Sequence, residues 1–285
     1  MKPTVTYEEV LERGKTKKIG FVDVRSPKEY QNATIPGAVN IPILDNQTRE
    51  TVGTLYVNGE ISQAKEYGIG YASSKLPEMY RQYEGLLEEY DELALFCSRG
   101  GMRSRSIFAL LKALGMPVSR IQGGYKGYRH YVLEHLEEQI TQVQFVTLYG
   151  LSGTGKTAIL KELSNLGESI LDLEGCANHR GSLLGGVGLT PAHSQKMFES
   201  YLFEASKHWQ KGQVVFTEGE SKRIGRVVMP SFLAEKIQAG SYILIEASLA
   251  YRIEKIYQDY IETSSLEELI QALDQLKGMI NPEKV

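Results

Sequence analysis

The chain has 285 residues, 42% hydrophobic and 24% charged, with a net charge of −3. This composition excludes a disordered or fibrous chain, leaves room for two domains of ordinary size, and confines any nucleic-acid site to a local basic patch. Without a leader or an apolar run near the ~20 residues that span a bilayer, and with two distant cysteines, Cys97 and Cys176, the expectation is a cytoplasmic protein with free thiols and no membrane partner.

In chain order, TYEEVLERGK (6–15) has helical spacing and IGFVDV (19–24) is an apolar, β-rich run. RSPKEYQNATIPGAVNIP is turn-rich. A polar stretch with Gly53, Gly59, Gly68 and Gly70 follows, to which the pattern assigns no element. KLPEMYRQYEGLLEEY reads as a helix, ELALF as a strand that ends at Cys97, RSRSIFALLKALG as a helix closed by Gly115, and SRIQGGYKGYRHYVLEHLEEQ as strand, glycine turn and helix. Strands alternating with helices predict a largely parallel α/β sheet whose ligands sit beyond the carboxyl ends of the strands, which is where Cys97 falls.

The segment FCSRGGMRS gives that cysteine an arginine- and glycine-rich loop. Ser98, Arg99, Gly100, Gly101, Met102 and Arg103 form a short arc into a helix N-terminus, a geometry suited to an oxyanion, and the arginines lower the thiol's pKa. DVRSPKEY, IPGAVNIP and this loop resemble a rhodanese domain, which carries sulfur or selenium on a loop cysteine. The five residues between Cys97 and Arg103 are also similar to the spacing of cysteine phosphatases, so phosphatase chemistry stands as a rival.

Further along, QFVTLYGLSGTGKTAILKEL meets the GxxxxGK[ST] pattern between a strand and a helix. Gly150, Ser152, Gly153, Thr154, Gly155, Lys156 and Thr157 are therefore a candidate diphosphate-binding loop, with Lys156 as point charge and Thr157 able to meet Mg²⁺. The order that follows is strand ESILDLEG, helix AHSQKMFESYLFEASKHWQ, strand QVVFTEGE, helix PSFLAEKIQAG, strand SYILIEAS, helix AYRIEKIYQDY and helix SLEELIQALDQLKGM. Asp172, Glu218 and Glu220 close strands near the loop, Asp172 and Glu218 being the candidate Mg²⁺ ligands; Cys176 reads as structural. The boundary is expected between residues 138 and 143, giving domains 1–138 and 139–285.

A rhodanese-like domain followed by a P-loop NTPase-like α/β domain, together with LDLEGCANHRGS and EGESKRIGRVVMP, resembles the tRNA 2-selenouridine synthase family along nearly the whole chain, although this chain is short at its C-terminus. The resemblance implies conversion of wobble 2-thiouridine to 2-selenouridine in two steps. Geranyl diphosphate first alkylates the sulfur, and selenium from selenophosphate then replaces the S-geranyl group. It implies Cys97 as the essential loop residue, the P-loop as a prenyl-diphosphate seat, no tightly bound cofactor, and a selenophosphate synthetase as a partner. For the anticodon loop of tRNA, Arg99, Arg105, Arg120, Lys126, Arg129, His179, Arg180, Lys222, Arg223 and Arg226 are candidate contacts, with Tyr125 and Tyr128 to stack on a base. Leu183, Leu184, Val187 and Leu189 are candidates for the prenyl tail. A P-loop kinase fused to a phosphatase-like or sulfur-transfer domain, or a non-catalytic tRNA-binding or sulfur-carrier module, are the other classes.

Overall fold

The computed structural model describes residues 4–182, 184–260 and 264–277. Contacts divide the chain into two compact units, Met1–Leu133 and Glu134–Val285.

The first unit begins with β1 (Thr4–Val5), α1 (Tyr7–Gly14), β2 (Ile19–Asp23), α2 (Pro27–Asn32), β3 (Val39–Asn40), α3 (Asn46–Val57) and α4 (Ile61–Leu87). It continues with β4 (Glu92–Phe96), α5 (Met102–Ala113), β5 (Val118–Ile121) and α6 (Gly124–Thr141), the last of which runs across the division. The strands form one parallel sheet in the order β1-β5-β4-β2-β3. All five residues of β4 are buried, as expected of a central strand covered on both faces. Its end therefore delivers Cys97 to the middle of the sheet's carboxyl edge.

Local chemistry starts and stops the helices. Thr6 caps α1 and shares a capping box with Glu9, while Asp45 caps α3 by accepting from the Thr48 amide at 2.7 Å. The stretch without a sequence assignment is helical, as α3 and the front of α4, with Gly59 turning between them at φ +82°. These helices bury little: Thr48 in α3, and Ala64, Met79 and Tyr83 in α4. Apolar periodicity reports burial, so helices with so small a buried face gave it little to report.

The second unit contains β6 (Gln144–Tyr149), α7 (Lys156–Asn165), β7 (Ile170–Leu171), α8 (Leu173–Ala177), α9 (Gln195–Ser206) and β8 (Val214–Glu218). After these come β9 (Arg223–Ile224), β10 (Val227–Val228), α10 (Ser231–Gln238), β11 (Ser241–Leu244), α11 (Leu249–Tyr260) and α12 (Leu266–Lys277). Its main sheet is parallel, β11-β6-β8-β7, and β9 and β10 form a small antiparallel hairpin. The expected strand ESILDLEG shrinks to Ile170–Leu171, because Asp172 turns the chain by accepting from the Gly175 amide at 2.7 Å and so caps α8. The helix expected over AHSQKMFESYLFEASKHWQ starts only at Gln195, after its cap Ser194. Among the described residues no helix is long and apolar enough to cross a membrane.

Candidate functional site

One anion loop in each unit carries the candidate chemistry. The first lies between β4 and α5. Cys97 is 3% exposed, and its Sγ is 3.2 Å from the Ser104 hydroxyl on the first turn of α5. Burial works to raise the thiol's pKa. The Ser104 side chain and backbone, the Arg103 charge and the Arg99 amide outweigh it and hold the thiol below its ordinary value.

The loop is gripped from outside. Tyr125 N–H donates to Cys97 O at 2.8 Å, Lys126 N–H to Ser98 O at 2.9 Å, and Arg120 Nη1 to Gly100 O at 2.5 Å. With those carbonyls engaged, the loop amides and the start of α5 are the donors an oxyanion would meet. Gly124 permits the grip: its φ is +57°, and a Cβ there would lie 2.1 Å from Cys97 O.

Arg103 forks onto Glu29, at 2.5 and 3.1 Å, while the Ser98 hydroxyl donates to Glu29 Oε1 at 3.0 Å. The Ser26 amide donates to Glu29 Oε2 at 3.2 Å, and Arg49 approaches it to 3.6 Å. Burial pushes the Glu29 carboxyl up, but Arg103, Ser98 and Ser26 prevail and set it at about 2. The arginine that the phosphatase-like spacing singled out is thus held by a carboxylate, whereas Arg99 is exposed.

The second loop lies between β6 and α7. Gly153 and Gly155 have φ of +80° and +87°, and a Cβ on Gly153 would lie 2.6 Å from Arg252 O. Lys156 Nζ donates to Gly150 O at 2.9 Å, and Arg252 Nε braces Ser152 O at 2.9 Å. Carboxylates crowd this loop. Glu218, paired in register with Leu148, is 1% exposed and accepts the Glu174 amide at 2.9 Å through Oε1, while Oε2 has no hydrogen-bond partner among the described residues. Glu174 reaches the Thr157 hydroxyl at 3.4 Å. Burial, then the neighbouring Glu220 and Asp172, push Glu174 up to about 7; burial and Asp172 push Glu218 up to about 8. Among the described residues no group of three or more His, Cys, Asp or Glu is arranged to hold a metal by itself.

Several expected RNA contacts are corrected. Tyr125 and Tyr128 are buried and not available to stack: Tyr125 lies under the Arg25 guanidinium at 4.3 Å, and Tyr128 packs edge-on against Tyr7. Arg25 in turn is paired with buried Asp23, so the DVR of the sequence builds the core. Arg129 is buried as well, on the inner face of α6. Arg120 bonds Gly100 O and Thr4, Arg180 donates to Val187 O at 2.7 Å and stacks on Tyr260, and Arg226 donates to the carbonyls of Ala192 and His193. These three brace loops. Lys126, Arg105, Lys222 and Arg223 are exposed. His179 is wedged between Gly185 and Gly225, and burial lowers its pKa, which disfavours the charged imidazolium an RNA contact would use. Cys176 is buried, and burial with Asp172 and Glu218 nearby raises its pKa, the profile of an unreactive thiol. Leu184, Val187 and Leu189 are half-buried; Leu183 lies outside the described residues.

Glu29, Ser104, Gly124 and Glu174 escaped the sequence reading as site residues. Glu29 left a signal as the third residue after Ser26 in a capping-box spacing, and Gly124 as part of a glycine turn, but neither shows its partner; the tie of Glu29 to Arg103 spans 74 positions.

Comparison with known proteins agrees with this layout. A rhodanese-like domain profile matches residues 6–131, and the profile of the tRNA 2-selenouridine synthase AAA domain matches residues 143–283. A tRNA 2-selenouridine synthase of Hydrogenovibrio crunogenus is 34% identical over 92% of this chain and 74% of its own length. One of Marinobacter nauticus is 35% identical over 86% of this chain and 66% of its own. The chain thus spans about two thirds to three quarters of these relatives. A solved N-terminal domain from Clostridium difficile 630 is 41% identical, covering 46% of this chain and 98% of that one, with a TM-score of 0.43.

Proposed function

Since the chain belongs to the tRNA 2-selenouridine synthase family, we propose that it is a cytoplasmic tRNA-modifying transferase that turns wobble 2-thiouridine into 2-selenouridine through an S-geranylated intermediate. The supporting observation is that one chain carries two unlike anion loops, one with an acidified thiol and one with a P-loop lysine.

In the first step the thiocarbonyl sulfur attacks C1 of geranyl diphosphate, the C–O bond breaks, diphosphate leaves, and the base loses its N3 proton. Gly150–Thr157 amides and Lys156 hold the departing diphosphate. Were Mg²⁺ to accompany it, Glu218, whose Oε2 is unpartnered among the described residues, with Thr157 and Glu174 beside it, would hold the ion and its charge would neutralise the leaving group, whereas Asp172, the other expected ligand, is engaged as the cap of α8. In the second step selenium from selenophosphate adds to C2, geranyl thiol leaves, and water releases phosphate from the selenium. The Cys97 loop seats the selenophosphate oxyanion, with Cys97 as its essential thiol. Exposed Arg99, Arg105, Lys126, Lys222 and Arg223 are candidate cations for the anticodon loop, and a selenophosphate synthetase supplies the donor.

The test is nucleoside analysis of bulk tRNA from a strain with and without the gene, and of purified protein given 2-thiouridine RNA, geranyl diphosphate and selenophosphate. Gene-dependent S-geranyl-2-thiouridine and 2-selenouridine are expected. Unchanged nucleosides, together with tight ATP binding and phosphoryl transfer, would replace this reading with the kinase one.

A further inference from the structure

A cavity of about 740 Å³ opens beside Cys97 within the first unit. It lies within the roughly 300–1,000 Å³ of small-molecule sites. Neither anion loop explains it, because most of its wall is hydrocarbon: Val52 and Tyr56 of α3, Ile69, Ala72 and Leu76 of α4, and Leu110 of α5. Ile69 is 67% exposed and Tyr56 40%, large apolar surface left facing open space rather than core. Of the helices in this wall, α3 and α4 fully bury few residues, and their Val52, Ala72 and Leu76 lie between the core and the cavity.

Charge is gathered in one part of the lining. Arg103 and Arg49 both converge on Glu29, and Arg99 and Ser98 follow Cys97 in the same loop. An anion alone would use the arginines and gain nothing from the aliphatic wall. An occupant that uses both has a hydrocarbon body and a polar or anionic head held at the thiol.

Resting on the function proposed above, the geometry points to this cavity as the seat of the S-linked hydrocarbon group of the alkylated tRNA base during the selenium step, with the sulfur-bearing end at the Cys97 loop. The acyclic C10 chain that the first step adds is thereby a recognition handle as well as part of a leaving group. It gives the second step a hydrocarbon site of its own, distinct from Leu183, Leu184, Val187 and Leu189, the candidates for the tail of geranyl diphosphate in the first step. The specificity that follows is for chain length, since burial of each added methylene in an apolar wall favours binding.

The experiment is calorimetry on the full chain carrying Cys97→Ser, to prevent turnover, with a short anticodon-loop RNA whose 2-thiouridine bears S-methyl, S-prenyl (C5) or S-geranyl (C10). Affinity is expected to rise about tenfold or more from methyl to C10, only part of the transfer free energy surviving the costs of binding. Ala72→Phe, which fills the cavity, and Ile69→Glu, a change at an exposed position that puts a charge on its wall, should each reduce that rise to less than about threefold, with S-methyl binding and the thermal midpoint unchanged. Two results overturn the proposal while leaving the function standing. One is a chain-length gain that survives both substitutions but is lost in Leu184→Glu. The other is a dimer formed through this face with no chain-length gain. Failure of any alkylated RNA to bind, with geranyl diphosphate unused by the wild-type chain, removes the function and this inference together.

Discussion

The Cys97 loop and the Gly150–Thr157 loop share one backbone device, a parallel strand running into a glycine-rich turn and a helix N-terminus, yet their surroundings carry opposite charge. Around Cys97 arginines line the loop, and the carboxylate bonded to it, Glu29, is pushed up by burial but held at about 2 by Arg103, Ser98 and Ser26. Around Lys156 the nearby groups are Asp172, Glu174, Glu218 and Glu220, and burial plus mutual repulsion hold Glu174 and Glu218 partly protonated near neutral pH. The same scaffold therefore serves two purposes. The first loop favours a thiolate and an incoming anion; in the second, Lys156 offsets its carboxylates only in part, and Glu174 and Glu218 stay raised.

The comparison breaks most completely at Cys97. Cys97→Ser should lower 2-selenouridine formation by more than about a hundredfold while S-geranylation, the work of the other loop, stays within about twofold. Mass analysis of the two nucleosides from one reaction reads both. Full selenium incorporation by the purified variant would remove Cys97 from the mechanism.

Next in size is Gly124→Ala. A Cβ 2.1 Å from Cys97 O at φ +57° cannot be absorbed by a flexible side chain, since the neighbour is backbone. The variant should lose about 2–4 kcal/mol of stability in the first unit, and selenium incorporation should fall with it. Denaturant unfolding checks the value; a loss below about 0.5 kcal/mol would mean that the grip on the loop is loose.

Lys156→Ala sharpens the contrast from the other side. Loss of one charge-assisted contact of about 1.5–3 kcal/mol should weaken geranyl diphosphate about 10- to 150-fold, with the Cys97 loop untouched. Titration calorimetry with geranyl diphosphate and with ATP measures it.

The smallest effect expected is that of Glu29→Gln. Because the folded-state pKa of Glu29 is depressed from 4.5 to about 2, its contribution is fully present above pH 4.5 and is lost as pH falls from 4.5 through about 2. The side chain is 22% exposed, so about 1–2 kcal/mol at pH 7 is a fair expectation after solvent screening. The variant should be less stable than wild type at pH 7 and equal to it near pH 2. A constant difference across pH 2–7 would mean that Glu29 acts by packing alone.

The sequence by itself determined both loops. Cys97 at a strand end and GLSGTGKT between strand and helix are local patterns, set by neighbours within ten residues, and the parallel α/β order followed from the alternation of apolar runs. What it could not determine lies in pairs far apart along the chain. Glu29 meets Arg103 and Gly124 meets Cys97 only because β2, β4 and β5 are sheet neighbours. Tyr125 and Tyr128 have the sequence of a stacking platform and the position of a core, because Arg25 from another strand end covers one and Tyr7 packs on the other. The cavity beside Cys97 was hidden for a related reason. Hydrophobic periodicity detects the faces that packing removes from water, and α3 and α4 turn part of their apolar surface, Tyr56 and Ile69 among it, toward the cavity instead.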